Sequence, residues 1–240
     1  MTPSRAPLIS VVIPVHNGEL YLAEAVDSAL AQTYRPVEVV VVDDGSTDGT
    51  AEVAAGLGAA VRYVHQRNRG PGGAMNRGVE LAQGEYVAFL SADDVWAPEK
   101  LTGQMAALDA DPSLDLVFGH VQQFLSPELD DEVARTLHCP PDPMPACSAG
   151  TLLTRLETFR RVGNFDEQWR VGEFFDWYAR ARDLGLRERV LPAVVSRRRV
   201  HGGNLSHRTD APATGYARVL KATLDRRRRQ AGSDGSTSCG

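Results

Sequence analysis

The amino-acid sequence predicts an α/β domain whose mostly parallel sheet is flanked by helices. In the first half of the chain, short β-branched runs alternate with amphipathic stretches, the order expected of strand–helix–strand units. The strand-like runs are nearly continuous in apolar residues, as parallel strands covered on both faces should be. At 240 residues the chain can bury a full core without disulfide or metal staples, so we expect a single domain.

The predicted elements of the first half follow in a regular order. Residues 8–15 and 37–42 are predicted strands because they are rich in Val and Ile. Between them Leu22, Val26 and Leu30 recur every four residues, which predicts a helix with one apolar face. The next predicted elements are a short helix from Thr47 or Asp48, a strand at 61–64, a helix at 73–82 and a strand at 85–90.

The second half is less regular. Pro98 is predicted to open a helix that runs through Leu108, because its missing N–H is not needed in a first turn. Residues 125–145 are rich in Pro and acidic residues and are predicted to form a long loop. The other predicted elements are a strand at 114–121, a small segment at 149–153, helices at 156–162 and 173–184, and an extended stretch at 189–200.

The net charge of −5 is unevenly distributed. The last twenty residues carry +3, which leaves −8 on the first 220 and argues against a general nucleic-acid-binding protein. The three Cys residues form no C-x-x-C pair, and no run of about 18 apolar residues occurs, so we expect a cytoplasmic protein with neither a zinc site nor a membrane span. Residues 1–7 are predicted to be flexible. Residues 211–240 are predicted to form a basic helix and a disordered tail, and Arg226 to Arg229 could touch an acidic membrane surface.

Three predicted strands end in polar clusters. These are Pro14-Val15-His16-Asn17-Gly18, Asp43-Asp44-Gly45-Ser46 and Ser91-Ala92-Asp93-Asp94. In a parallel sheet the carboxyl ends lie along one edge, where such sheets bind ligands. Adjacent carboxylates there favour a divalent cation that bridges a diphosphate, because Mg²⁺ and Mn²⁺ prefer oxygen ligands. The sequence therefore predicts a nucleoside diphosphate site, although Asp and Ser after a strand also serve as helix caps and turn formers.

Three segments carry a family resemblance. VVIPVHN at 11–17, VVVDDGSTDGT at 40–50 and GEYVAFLSADDVWAPEKL at 84–101 resemble the family 2 glycosyltransferases, and the resemblance extends over residues 8–205. It implies the GT-A fold, a Rossmann-like domain at 8–210 in which residues 8–100 are the nucleotide-sugar half and 101–210 the acceptor half. It also implies transfer of a sugar from a nucleoside diphosphate donor, with inversion at the sugar carbon.

The resemblance assigns nucleotide contacts to the first two clusters. It implies that Pro14 and the backbone near Val15 and Asn17 line the nucleotide pocket. It implies further that Asp44, with Asp43 beside it, contacts the base or the ribose.

The resemblance assigns a metal site to the third cluster. Asp93 and Asp94 stand where the family has its D-x-D-D motif, although the first Asp of that motif is Ser91 here. The implied cofactor is Mn²⁺ or Mg²⁺. The segment R-V-H-G-G-N-L-S at 199–206 resembles the family's R-x-H-x-x-N-x-S, which implies that His201 lies near the metal or the diphosphate. As an alternative, His201 is a structural side chain.

A catalytic base is implied in the segment VGEFFDW at 171–177. Family members commonly use the Asp of a Glu-Asp pair, and that Asp is Phe174 in this chain. Glu173 is our first choice for the base and Asp176 the second, since residues three apart share one helical face. Alternatively, Glu173 only complements the positive N-terminus of its helix.

The predicted function is a nucleotide-sugar glycosyltransferase that acts on a glycan, a lipid-linked molecule or a natural product. Trp169 and Trp177 either stack on the acceptor or belong to the core. A catalytically degenerate nucleotide-binding member that serves as partner or scaffold is the alternative, favoured by Ser91, Met75 and Phe174 at motif positions. A sugar-phosphate nucleotidyltransferase is disfavoured because the first predicted strand is not followed by a Gly-rich loop.

Overall fold

The computed structural model describes residues 5–204 and 212–234, with side chains in 5–204 and 215–229. Four residues of the predicted flexible N-terminus, Leu205 and Ser206 of the terminal motif, and the tail from residue 235 lie outside the described residues.

The four strands of the first half form the parallel sheet that the sequence predicts. They are β1 (Ile9–Val15), β2 (Val37–Asp43), β3 (Val61–His65) and β4 (Tyr86–Phe89), in the spatial order β3-β2-β1-β4. Val15 pairs with Asp43 and Val12 pairs with Phe89, so the carboxyl ends of β2, β1 and β4 lie next to one another. The predicted convergence of the three polar clusters at one sheet edge is confirmed.

The helices of the first half begin at positions set by contacts distant in sequence. They are α1 (Leu22–Leu30), α2 (Thr50–Gly56), α3 (Gly70–Leu81) and α4 (Lys100–Ala110). Helix α2 begins at Thr50, directly after the predicted cap region, and the Asp48 carboxylate accepts hydrogen bonds from the backbone N–H groups of Thr50 and Glu19, at 3.1 Å each. Helix α4 begins at Lys100, since the carbonyl of Pro98 accepts the N–H of Thr33 at 3.0 Å and stays in the preceding loop.

The second half adds antiparallel strands to a sheet in which most of the paired residues are still parallel. It comprises β5 (Val95–Trp96), β6 (Leu116–Leu125), β7 (Met144–Ala146), β8 (Leu153–Arg155) and β9 (Glu188–Val200). Strand β8 is antiparallel to both β4 and β6, β7 is antiparallel to β6, β5 is antiparallel to β9, and β9 is parallel to β6. Antiparallel neighbours need no crossover helix, and the segment after β6 supplies none.

That segment is the predicted long loop at 125–145, and it is shorter than expected. Strand β6 runs on to Leu125 because it stays paired with β9 as far as Val200. A one-turn helix α5 (Asp131–Ala134) buries none of its residues, and β7 then begins at Met144. The chain continues through a 3₁₀ turn (Ala149–Thr151), α6 (Leu156–Val162), α7 (Glu173–Asp183) and α8 (Pro212–Asp234). Among the described residues, no helix combines the length and apolarity that a membrane crossing requires.

Two large hydrophobic clusters lie on the two faces of the sheet. Val11 and Ile13 belong to one cluster and Val12 to the other, because successive side chains of a strand point to opposite faces. The first cluster packs α1 and α4 on the sheet. The second is aromatic and holds α6 and α7; its rings are Phe89, Phe118, Phe159, Phe165, Phe174 and Trp177. This aromatic cluster positions the N-terminus of α7 relative to the sheet.

Candidate active site

The loops after β1 and β2 are held together by direct hydrogen bonds. Asn17 has a left-handed backbone, with φ of 54°, and its N–H donates to Ser46 Oγ at 2.9 Å. The Asn17 side-chain oxygen accepts the N–H of Thr47 at 2.8 Å. Pro14 is half-buried and Val15 is buried just below this junction. The predicted nucleotide-side residues therefore lie on two adjacent strand ends.

Asp43 is a buried carboxylate at the end of β2. It accepts the N–H of Ser46 at 2.8 Å and the hydroxyl of Tyr63 at 2.6 Å. Burial opposes its ionisation, but these hydrogen bonds outweigh burial and lower the pKa of Asp43 below its ordinary value. In turn, burial and the Asp43 hydrogen bond raise the pKa of Tyr63. Asp43 is thus an ionised side chain that fixes the turn after β2.

Asp44 caps helix α3. One of its oxygens accepts from Gln66 Nε2 at 2.7 Å and from the backbone N–H of Arg69 at 2.8 Å. The other oxygen accepts the N–H of Gly70 at 2.7 Å. These N–H groups belong to the free donors that every helix N-terminus presents, which explains why α3 starts at Gly70 and not at Gly73.

Asp93 is paired with the residues of the terminal motif. Its Oδ2 lies 3.2 Å from His201 Nε2 and accepts a hydrogen bond from Asn204 Nδ2 at 3.1 Å. Since His201 Nδ1 accepts the N–H of Gly203 at 3.2 Å, the ring proton of a neutral His201 is on Nε2 and points to Asp93. The structure therefore brings His201 and Asp93 together.

Asp94 carries a strongly perturbed carboxyl group. Its Oδ1 accepts the N–H of Arg199 at 2.9 Å. Burial and the negative charge of neighbouring Asp93 raise the pKa of Asp94 to about 8. Asp93 is 34% exposed. The two adjacent carboxylates offer oxygen ligands of the kind that Mg²⁺ and Mn²⁺ prefer. Within residues 5–204 and 212–234 no three His, Cys, Asp or Glu side chains form a ready-made metal cluster, so a cation here needs phosphate or water oxygens to complete its shell.

Arg199 links the acidic pair to helix α1, a role that sequence reasoning missed. Its Nε donates to the carbonyl of Asp93 at 3.0 Å, and its buried guanidinium forms an ion pair with Glu24. The guanidinium carbon also lies 4.7 Å from the ring centre of Tyr21, and that ring is 4.9 Å from the His201 ring. The only sequence signal was the place of Arg199 in the terminal motif; Tyr21 had none.

Glu173 begins helix α7 beside the N-terminal turn of α3. Gly172 precedes it with φ of 90°, and a methyl group added at Gly72 in α3 would lie 3.5 Å from the Glu173 Cβ. Burial raises the pKa of Glu173 above its ordinary value. The hydrogen bonds from its own backbone N–H and that of Gly172 lower the pKa, but by less. A carboxylate with a raised pKa is a stronger base than a solvated one.

Asp176 lies in an ion-pair cluster and not among the strand ends. Its Oδ2 is 2.9 Å from Arg180 Nε, and its Oδ1 is 3.0 Å from Arg226 Nη1. The Asp176 side chain is buried, so the two guanidinium groups neutralise a charge that would otherwise be costly. Asp176 therefore joins α7 to α8.

The two candidate acceptor residues have different surroundings. Trp177 is 0% exposed, stacks on Phe159 at 5.2 Å and donates its indole N–H to the carbonyl of Gly163 at 2.9 Å. The expectation that Trp177 stacks on an acceptor is corrected, because its ring is enclosed in the aromatic cluster. Trp169 is 8% exposed, and its buried indole N–H has no partner among the described residues. The Arg218 guanidinium lies 6.0 Å from the Trp169 ring centre.

The fold is that of GT-A glycosyltransferases. The structure of Staphylococcus aureus TarS residues 1–349 in complex with UDP-GlcNAc matches with a TM-score of 0.72 and 21% identity, over 90% of this chain and 65% of that one. The mannosyltransferase PcManGT from Pyrobaculum calidifontis, in complex with GDP-Man and Mn²⁺, matches with a TM-score of 0.64 and 24% identity, over 84% of this chain and 59% of that one.

The chain belongs to glycosyl transferase family 2, whose family model matches residues 10–165. An uncharacterized glycosyltransferase of Rickettsia prowazekii is 34% identical over 190 residues, which are 72% of this chain and 58% of the relative. The glycosyltransferase GlyG of Streptococcus pneumoniae is 40% identical over 111 residues, 43% of this chain and 37% of the relative. The chain spans little more than half the length of the Rickettsia relative. The predicted family and fold class are confirmed.

Proposed function

We propose that the protein transfers a sugar from a nucleoside diphosphate sugar to an acceptor nucleophile, with inversion and with a divalent cation at Asp93 and Asp94. One observation carries the proposal: the polar ends of three neighbouring strands meet at one sheet edge, next to the turn of α3 on which Glu173 packs. The TarS and PcManGT complexes support the donor class, since they contain UDP-GlcNAc and GDP-Man, and the latter contains Mn²⁺.

The nucleoside is proposed to lie over the ends of β1 and β2. Asp43 and Asp44 are anchored by protein donors, and each carboxylate oxygen has more than one acceptor direction. Both side chains are almost enclosed, at 1% and 3% exposure, so the proposed contact with the base or the ribose replaces one of these protein donors. Asn17, exposed between the two loops, borders the same surface.

The diphosphate is proposed to lie at Asp93 and Asp94, with His201 beside it. A bound Mn²⁺ or Mg²⁺ would neutralise the charge of the leaving diphosphate. The raised pKa of Asp94 supports a cation at this position. Burial and the charge of Asp93 oppose ionisation of Asp94, and a bound cation would offset that repulsion. Ser91, exposed before the pair, takes the place of the family's first Asp and offers a hydroxyl there.

In the proposed chemical step Glu173 acts as the base. Its carboxylate takes the proton of an acceptor hydroxyl, and the acceptor oxygen attacks the anomeric carbon opposite the diphosphate. The new C–O bond forms as the bond to the diphosphate oxygen breaks, and its electron pair leaves with the nucleoside diphosphate. Glu173 is favoured over Asp176, since guanidinium groups occupy both oxygens of Asp176. The indole N–H of Trp169 has no partner among the described residues and is the proposed donor for the acceptor side.

The remaining assignments belong to the same proposal. Residues 8–100 are the nucleotide-sugar half and 101–210 the acceptor half of one domain. The acceptor is a glycan, a lipid-linked molecule or a natural product, and the reaction takes place in the cytoplasm. Free thiols at Cys139 and Cys147 are compatible with such a reducing compartment.

The test is a screen of UDP-, GDP-, CDP- and dTDP-sugars with Mn²⁺ or Mg²⁺, in which release of the nucleoside diphosphate is measured. We expect Asp93→Asn to lower turnover of the accepted donor by at least about 100-fold, since it loses a metal-binding charge. Asp27→Asn is the matched control, because Asp27 is an exposed carboxylate on α1. Wild-type turnover by Asp93→Asn would overturn the metal assignment. Tight nucleoside diphosphate binding without turnover of any donor would favour the non-catalytic alternative.

A further inference from the structure

Helix α8 leaves a line of apolar side chains on its outer surface. Tyr216, Leu220 and Leu224 are 41%, 60% and 42% exposed, and their spacing of four places them along one side of the helix. The adjoining side packs on the protein, since Val219 is 3% and Thr223 is 5% exposed. Leu220 and Leu224 thus remain largely open in the described part of the chain.

The line continues onto helix α7. Phe175 is 49% exposed, and its ring lies 5.0 Å from the ring of Tyr216 in an edge-to-face arrangement. We call the four side chains Phe175, Tyr216, Leu220 and Leu224 the α8 patch. Four large apolar side chains grouped on two helices are more than the scattered exposure that a protein surface ordinarily shows.

The surroundings of the α8 patch are strongly basic. Residues 215–229 carry six basic side chains and one acidic side chain, Asp225. At about 100° per residue, Arg227 falls on the same side as Leu220, and Lys221 and Arg228 fall beside Leu224. All three cations are exposed. Arg227 and Arg228 pair with Asp183 at 2.8 Å and Asp225 at 3.7 Å, contacts at the surface that water and salt weaken.

We propose that the α8 patch docks on an anionic phospholipid surface. Two contributions bind a helix that lies on a bilayer without spanning it. Its apolar side chains enter the boundary between headgroups and acyl chains, and its cations contact the lipid phosphates. Charge complementarity decides the occupant. A second copy of the chain would place two strongly basic helices against each other, whereas an anionic membrane supplies the missing negative charge.

The position of the α8 patch gives docking a consequence, which rests on the proposed function. A methyl group added at Gly172 would lie 3.1 Å from Val219 and 3.4 Å from Tyr216, so α8 packs on the residue that precedes Glu173. A membrane under α8 would therefore lie next to the acceptor side of the site. The substrate class that fits is an acceptor attached to a lipid anchor.

The experiment is co-sedimentation of the full chain with vesicles of phosphatidylcholine alone or mixed with phosphatidylglycerol. We expect binding only to the anionic vesicles, and weaker binding as salt is raised. Replacing both leucines, Leu220→Gln with Leu224→Gln, should weaken binding at least about tenfold. Lys221→Gln alone should weaken it about fivefold. Leu20→Gln and Arg160→Gln change an exposed leucine and an exposed arginine on other elements and should bind like wild type.

Two further measurements separate this proposal from the proposed function. Donor turnover in solution should be the same in all of these variants, and their melting curves should match wild type because every replaced side chain is exposed. Absence of binding to the anionic vesicles, or equal binding by the leucine variant and wild type, would overturn the docking proposal. A change of oligomeric state in the leucine variant with unchanged vesicle binding would also overturn it, and would assign the α8 patch to a second copy.

Discussion

Neutralising Asp176 should destabilise the protein and leave its chemistry intact. In Asp176→Asn the two guanidinium groups of Arg180 and Arg226 lose the carboxylate that they share at 2.9 and 3.0 Å. Breaking a fully buried pair costs about 3–5 kcal/mol. The side chains of Arg180 and Arg226 are 21% and 25% exposed and keep part of their hydration, so we expect a smaller loss of about 2 kcal/mol in the free energy of unfolding.

Thermal unfolding is the assay. For a domain of this size, a loss of about 2 kcal/mol corresponds to a fall in melting temperature of about 4–8 °C. Arg226→Gln should be destabilising as well. The double variant should be less destabilised than the sum of the single changes, because both remove the same contact between α7 and α8. Asp27→Asn, an exposed carboxylate, is the control and should leave the melting temperature unchanged.

Activity measured on folded protein completes the test. Donor turnover per folded molecule should be unchanged in Asp176→Asn at a temperature below both melting transitions. Loss of turnover with an unchanged melting temperature would refute the structural assignment of Asp176 and would make it the better candidate for the base.

Three other changes have expected outcomes. Glu173→Gln should lower sugar transfer at least about 100-fold. In wild type the transfer rate should rise with pH through a Glu173 pKa that lies above the ordinary glutamate value. The contribution of Glu173 to the free energy of unfolding is present at low pH and is lost as the pH rises through the same range. Melting curves recorded at several pH values should lack this dependence in the variant. Asp44→Ala leaves three donors unpaired and should lower the unfolding free energy by about 3 kcal/mol in urea titrations, whereas an equally stable variant would contradict the capping role. In Gly78→Ala the added methyl group overlaps Val12 and should cost about 1–3 kcal/mol, against no loss for Gly56→Ala, where the space is open.

Local patterns were enough to predict the first half of the fold. The β-branched runs predicted as strands at 8–15 and 37–42 became β1 and β2, because a strand that is apolar on both faces is stable only where both faces of the sheet are covered. Parallel pairing then placed Asn17, Asp44 and Asp93 after neighbouring strand ends. The sequence alone also carried the family motifs, and with them the membership that the family model confirms.

The partners of individual side chains depended on residues far along the chain. Local sequence offered no sign that Asp44 caps a helix that begins 26 residues later, or that Arg226 reaches Asp176 across 50 residues. The antiparallel entry of β8 was hidden for a similar reason, since strand direction is set by the path of the connections and not by the strand's own residues.

The sequence by itself determined the class of fold, the edge at which the site forms and the family of the chain, because these depend on periodicity and on short motifs. Only the tertiary structure decided what each acidic residue does. It left Glu173 half-buried, with hydrogen bonds from its own N–H and that of Gly172, gave Asp176 two cations, and enclosed Trp177 in the core. The physical reason is that the charge state and accessibility of a side chain depend on its surroundings, and folding brings those surroundings together from distant parts of the chain.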